Sequence, residues 1–192
     1  KEDNVQALFA FAQREMGHID VLVNNAGLGT SKRIVEMADE EWAKVLDITL
    51  TGTFRMTRAA LKIMQPRGRG VIVNNASVLG WRAQAAQPHY AAAKAGVMAL
   101  TRCAAIEAAP HGIRINAVAM SYIWDAEPRW GGGSPALAGA HGPGMIDNLR
   151  KRMLFPVHCA DIAQAAAFFA GQESDAITGQ TLSVNGGLST PG

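Results

Sequence analysis

Residues 19–27 read Ile19-Asp20-Val21-Leu22-Val23-Asn24-Asn25-Ala26-Gly27, and the organisation of the chain follows from them. An apolar run from Ile19 to Val23, ending in two asparagines and a small-residue turn, is the pattern of a parallel strand covered on both faces that runs into a loop. Before it, residues 2–16 place Val5, Leu8, Phe9 and Ala12 at three- and four-residue steps, the period of an amphipathic helix. After it, Asp39 to Met64 carries Trp42, Leu46, Thr49, Thr53, Thr57, Ala60 and Met64 along one face, a long helix stopped by Pro66 and Gly68. Val71 to Val73 begins a second strand. Tyr90 to Ala109 is another long helix, closed by Pro110 and Gly112, and Ile113 to Val118 is a third strand. Asp161 to Ala170 reads as a helix, and Thr181 to Val184 as a last strand before Asn185-Gly186-Gly187. Strands separated by helices of this length require crossovers, so the expected fold class is α/β, a parallel sheet with helices on both faces.

Composition narrows the function classes. A chain of 192 residues that is 48% hydrophobic supports one compact domain, so a single domain over 1–192 is expected. The net charge is +2, and no basic run exceeds Arg150-Lys151-Arg152, so nucleic acid is not an expected partner. Two cysteines, Cys103 and Cys159, form neither a disulfide framework nor a metal-ligand spacing, and Cys103 in its Ala-rich helix is expected to be a small buried hydrophobe. No apolar stretch reaches the ~18 residues of a membrane span. The start, Lys1-Glu2-Asp3-Asn4, lacks the basic-then-apolar order of a secretion signal, so a cytoplasmic setting is expected.

The chemistry-bearing residues converge on strand ends. Tyr90 and Lys94 share a helix face at i and i+4. A neighbouring ammonium favours a phenolate, which makes the pair a proton donor and acceptor for interconverting an alcohol and a carbonyl. Ser77 lies thirteen residues before Tyr90, just past a strand, from where its hydroxyl would reach the same site or cap a turn. Asn24-Asn25-Ala26-Gly27 follows another strand's carboxyl end, where open α/β sheets bind ligands. His89 precedes Tyr90 and reads as incidental.

Four features in register (Asn24-Asn25-Ala26-Gly27, Ser77, Tyr90-x-x-x-Lys94, and Asn116 after Ile113-Arg114-Ile115) resemble the short-chain dehydrogenase/reductase family. Thr178-Gly179-Gln180 to Val184-Asn185-Gly186-Gly187 is similar to that family's closing strand. The resemblance runs from about Asp3 to Gly187 and is poor between Tyr122 and Phe155. It implies a Rossmann-like doubly wound parallel sheet and a nicotinamide cofactor, NAD or NADP, the choice not being readable. It also implies hydride transfer between a secondary alcohol or ketone and that cofactor, with Tyr90 as general acid/base. Lys94 would lower the Tyr90 pKa and bind the nicotinamide ribose, and Ser77 would polarise the substrate carbonyl. Asn25, Ala26 and Gly27 would line the adenosine side of the cofactor. Asn24 is grouped with them, strand-tying being its other reading, and Asn116 reads as scaffold.

Three departures from the family pattern carry expectations. The Gly-rich turn that opens the family's fold does not occur, so the N-terminal βαβ portion, roughly 60–80 residues, is expected to be absent from this chain, leaving the strand at Ile19–Val23 as an exposed edge and dinucleotide binding weak. Thr49 stands where the family usually has an asparagine thought to hold a water linking the lysine to solvent. A hydroxyl would do that only in part, and Thr49 is grouped with the catalytic residues. After the sixth strand Ile123 keeps the family's pattern and joins the cofactor-binding set, whereas Asp125 replaces a threonine and would repel pyrophosphate.

Substrate recognition is expected from a loop over residues 120–156. It carries Tyr122, Trp124, Trp130, Met145, Met153 and Phe155 around a mobile Gly/Pro-rich stretch, Trp130 to Gly144. Aromatics on a lid suit a bulky apolar alcohol or ketone such as a cyclic alcohol, steroid or acyl thioester, and equally suit packing of the lid onto the domain. Trp81 is a second pocket-wall candidate. The long helices carry Ala59, Ala60, Val97, Leu100, Ala104 and Ala105 on more than one face, which predicts a homodimer or homotetramer. The alternative to an active enzyme is a catalytically silent chain that keeps the fold for binding or assembly.

Overall fold

The computed structural model describes residues 1–124 and 144–190. Four strands, β1 (Val21–Asn24), β2 (Gly70–Ser77), β3 (Ile113–Met120) and β4 (Thr181–Val184), form one parallel sheet in the order β1-β2-β3-β4. The helices are α1 (Glu2–Met16), α2 (Asp39–Leu46), α3 (Gly52–Met64), α4 (Pro88–Ala108), α5 (Met145–Arg152) and α6 (Cys159–Ala170).

Alternation along the strands feeds two cores. Ile72 and Ile115 face one way and meet Phe9 of α1, Ala60 and Met64 of α3, and Ala104, Ala105 and Ala108 of α4. Val73 and Val118 face the other way and meet Ala165 and Phe169 of α6. Successive strand side chains point to opposite faces, so one continuous apolar run supplies both layers. At ~1.5–3 kcal/mol for each fully buried aliphatic side chain, these contacts hold helices to both faces. The α/β, doubly wound expectation is met, with helices on either side of a parallel sheet.

Several boundaries differ from the sequence reading. β1 starts at Val21 and not at Ile19: Arg67 takes the Ile19 carbonyl at 3.0 Å and the Asp20 carboxylate at 2.6 Å, and the Asp20 carbonyl accepts from Val71 N–H at 2.9 Å just ahead of the first paired residue. β2 runs on to Ser77, paired residue by residue with β3. The Asp39–Met64 helix is interrupted by a π-turn at Asp47–Thr51. α4 begins at Pro88, a residue whose fixed φ and missing N–H suit a first helical position. Part of the expected 120–156 loop is helical as α5. The Trp130–Gly144 stretch, apart from Gly144, and Asp125 lie outside the described residues.

Two packing expectations are corrected. Cys103 is exposed, because its position on α4 faces away from the sheet. Ala59, Ala60, Val97, Ala104 and Ala105 are buried within the chain itself and offer nothing to a second copy, whereas Leu100 is half-buried. The apolar residues that α4, α3 and the π-turn leave outside are Ile106, which is 77% exposed, Phe54 and Ile48. Among the described residues β1 pairs on one side only, and Val21 and Val23 are 40% and 50% exposed.

Candidate active site

The carboxyl ends of β1 and β2 are set by a buried polar chain. Asn24 and Asn74 are directly opposite in the ladder. The Asn24 amide donates to Asn74 Oδ1 at 2.8 Å and to Thr57 Oγ1 at 3.2 Å, Asn74 donates to Thr101 Oγ1 at 2.9 Å, and Thr101 donates to the Val97 carbonyl at 2.8 Å. The chain therefore runs from α3 through two strands to α4. Asn24 spends its amide on this scaffold, so its strand-tying reading is the one its contacts support. Asn116 is likewise scaffold: its amide donates to the Ile177 carbonyl at 2.8 Å and its Oδ1 accepts from Gln180 N–H at 3.0 Å, locking the turn before β4.

Tyr90, Ser77 and Lys94 come together. Ser77 ends β2, and its hydroxyl accepts from Leu79 N–H at 3.2 Å and lies close enough to the Tyr90 phenol to act against the rise in its pKa. It therefore both caps a turn and stands beside Tyr90. Lys94 is buried, its Nζ 5.6 Å from the Tyr90 ring centroid and donating to the Asn75 carbonyl at 2.6 Å. The expected lowering of the Tyr90 pKa by Lys94 is not met. Burial raises the phenol above its ordinary value and the Ser77 side chain opposes this only partly. Lys94 is itself desolvated, which brings its ammonium down to about 8.

Thr49 sits in the π-turn, a departure from regular helix that often marks functional sites. Its hydroxyl accepts from Leu28 N–H at 3.0 Å and donates to the Leu28 carbonyl at 3.1 Å. The single hydroxyl proton therefore goes to the loop after β1, which leaves Thr49 one lone pair with which to accept from a water. Asn25, Ala26 and Gly27 are exposed at the end of β1. A Cβ on Gly27 would lie 3.7 Å from Lys94 Nζ and 3.8 Å from Thr49, so the loop passes directly over the lysine. Ile123 is half-buried in the segment after β3, and Trp124 N–H donates to the Val157 carbonyl at 2.8 Å. Of the expected lid residues, Met153 is buried and Phe155 is exposed; Leu154 and Phe155 donate their N–H groups to the Gly186 carbonyl at 2.7 Å and 3.1 Å. Trp81 is exposed at the rim, four residues beyond Ser77.

Ser77 and Lys94 are buried and Tyr90 is half-buried. A family model described as enoyl-(acyl-carrier-protein) reductase matches residues 1–189. The chain belongs to the short-chain dehydrogenase/reductase family. Members of this family are NAD- or NADP-dependent oxidoreductases. One relative, the (5R,7aS)-5-hydroxy-7a-methyl-1-oxo-2,3,5,6,7,7a-hexahydro-1H-indene-carboxyl-CoA reductase of Mycobacterium tuberculosis, is 49% identical over 185 residues, which cover 94% of this chain and 67% of the relative. The 3-oxoacyl-(acyl-carrier-protein) reductase FabG of Vibrio cholerae is 36% identical, covering 97% of this chain and 73% of its own length. A crystal structure of a short-chain dehydrogenase from Mycobacterium smegmatis superposes with a TM-score of 0.78 at 44% identity, covering 96% of this chain and 65% of that one. The chain spans about two thirds of the length of the two mycobacterial proteins it matches.

The residues present fit the family's cofactor. Asn75 donates its amide to Asn25 Oδ1 at 2.5 Å, while its own Oδ1 is buried with no hydrogen-bond partner among the described residues. An unsatisfied acceptor, an exposed asparagine and a glycine above Lys94 form a donor and acceptor set suited to ribose hydroxyls and a carboxamide. The sequence reading passed over Asn75. A polar side chain at an otherwise apolar strand position, next to Asn74, was its one visible signal. Among the described residues no cluster of His, Cys, Asp and Glu is arranged to hold a metal, and no helix is long and apolar enough to cross a membrane.

Proposed function

We propose that this chain carries the catalytic and substrate-binding residues of an NAD(P)-dependent reductase that interconverts a ketone and a secondary alcohol on a bulky, largely apolar substrate. The substrate class we favour is a fused-ring ketone carried as a coenzyme A thioester. The observation that carries the reading is the Tyr90 phenol beside the Ser77 side chain at the end of β2, with Lys94 buried against the same ring. The thioester part draws support from the 49% identical relative, whose name is that of a bicyclic carboxyl-CoA reductase.

In this mechanism the substrate carbonyl oxygen accepts hydrogen bonds from Ser77 Oγ and Tyr90 Oη, which polarises the carbonyl carbon. The cofactor supplies the hydride. Tyr90 gives its proton to the developing alkoxide, and Lys94, one helical turn away, stabilises the phenolate left behind. Asn25, Ala26, Gly27, Asn75 and Ile123 would hold the cofactor, with Lys94 reaching its ribose. Thr49 keeps the loop after β1 seated on this set.

The test is reduction of a bicyclic oxo-carboxyl-CoA, with acetoacetyl-CoA as a small comparator, followed by loss of NADH or NADPH absorbance. Turnover of the comparator alone would argue against the bulky substrate, and turnover of neither against the activity. The pH profile is a sharper check. Ketone reduction needs Tyr90 protonated, which its raised pKa secures through neutral pH, and Lys94 charged, which fails as pH rises through about 8. The kcat/KM for reduction is therefore expected to be flat below about 8 and to fall above it, tending to tenfold per unit. A profile still flat at pH 9.5 would remove Lys94 from the mechanism.

A homodimer or homotetramer is part of the same proposal, now resting on different residues. Ile106, Phe54 and Ile48 give α4, α3 and the π-turn an outward apolar surface. Sedimentation at micromolar concentration is expected to show an oligomer, and Ile106→Glu to shift it toward monomer. A parent protein that sediments as a monomer would count directly against this.

A further inference from the structure

His89, read as incidental from the sequence, is fully buried at the first turn of α4. Its Nδ1 accepts the Tyr90 N–H at 2.9 Å, so the neutral ring carries its proton on Nε2. Nε2 lies 2.6 Å from Thr30 Oγ1, and Thr30 donates to Glu41 Oε1 at 2.5 Å. Every donor in the series meets an acceptor: Tyr90 N–H to His89, His89 to Thr30, Thr30 to Glu41. Burial also pushes the imidazole below its usual pKa, with Glu41 opposing, which keeps the ring neutral near pH 7.

Thr30 belongs to the segment that continues from Gly27 over the catalytic pair. A Cβ on Gly29 would fall 3.1 Å from Tyr90 Cδ2, so the backbone there lies directly against the tyrosine ring. The segment is tied at one end by Thr49 to Leu28, and at the other by Lys32 N–H to the Ala86 carbonyl at 2.9 Å. Ala86 adopts φ 57°, a left-handed conformation unusual for a residue with a side chain, immediately before the start of α4. Such a conformation persists only where its surroundings impose it. The N-cap Gln87 makes no side-chain capping bond, so the His89 ring satisfies one of the first-turn N–H groups that a cap would otherwise leave free.

We propose that His89, fixed by Thr30 and Glu41, is a positioning residue for Tyr90, coupling the first turn of α4 to the 27–32 segment that covers the catalytic pair. The proposal rests on the reading of Tyr90 as the acid/base. Displacement of a reacting group by about 1 Å can cost 10²-fold in rate, so loss of one link in the series acts on kcat more than on binding.

The experiment compares Thr30→Val, Thr30→Ser and Tyr90→Phe with the parent in the intact protein, using the ketone that the parent reduces. Valine keeps the shape of threonine and removes the hydroxyl, and serine keeps the hydroxyl. Thr30→Val is expected to lower kcat about tenfold with KM within about twofold, and Thr30→Ser to recover most of it. In the protein without added cofactor, ¹⁵N spectra should show His89 as the Nε2–H tautomer at pH 7, and the Tyr90 amide should exchange faster in Thr30→Val than in Thr30→Ser. An inactive Tyr90→Phe beside a Thr30→Val with parental kcat overturns the positioning role alone. Equal losses in Thr30→Val and Thr30→Ser also overturn it, as does an Nδ1–H tautomer. Parental turnover in Tyr90→Phe overturns the underlying role of Tyr90, and the proposal with it.

Discussion

Replacing Tyr90 with phenylalanine is expected to reduce ketone turnover by at least about 10²-fold, the lower range for losing a positioned acid/base. Phenylalanine keeps the ring that lies against the Gly29 backbone and the Lys94 ammonium, so the packing around it survives. What is lost is the hydroxyl and its interaction with the Ser77 side chain, worth at most the ~0.5–1.5 kcal/mol of a neutral hydrogen bond. The thermal midpoint should accordingly move by no more than a few degrees while kcat collapses. KM for the cofactor should change little, since the hydroxyl serves the reacting carbonyl. A correctly folded Tyr90→Phe protein with near-parental turnover would require another proton donor.

The second large effect is on stability. Asn74→Leu is expected to cost roughly 2–5 kcal/mol, because it strands an Asn24 N–H and a Thr101 lone pair in a buried site, at ~1–3 kcal/mol for each unsatisfied group. For a chain of 192 residues that corresponds to a fall of roughly 5–15 °C in the melting temperature. Asn25→Ala, on an exposed residue one position beyond Asn24, is the control and should melt close to the parent. Thermal unfolding followed by circular dichroism distinguishes the two. If Asn74→Leu melts with the parent, the buried asparagines do not hold the strand ends together.

Much of the fold was legible because burial imposes a period. The apolar runs at Val21–Val23, Val71–Val73 and Ile113–Val118 identified parallel strands, and all three lie in the sheet. Their ends were less legible. Ile19 looked as apolar as Val21, yet pairing with β2 begins only at Val21, and the Ile19 carbonyl is met by Arg67, 48 residues away in sequence. Cys103 and Ile106 show the same limit. An Ala-rich helix does not reveal which of its faces meets the sheet, because small residues are compatible with either side.

Spacing alone determined that Tyr90 and Lys94 are neighbours, since four residues on a helix bring two side chains to one face whatever surrounds it. The local order of Asn24 to Gly27 after an apolar run likewise placed a turn at a strand's carboxyl end. Tertiary structure decided the rest of the site. Whether Asn24 faces a ligand or the sheet depended on Asn74 lying opposite it, 50 residues on. Thr49 turned out to clamp Leu28, and His89 joined Thr30 and Glu41, through contacts between segments 21 and 59 residues apart. The protonation of the Tyr90–Lys94 pair was equally beyond sequence. Proximity of a cation argues for a lowered phenol, but burial removes water from both groups, and that desolvation outweighs the attraction between them.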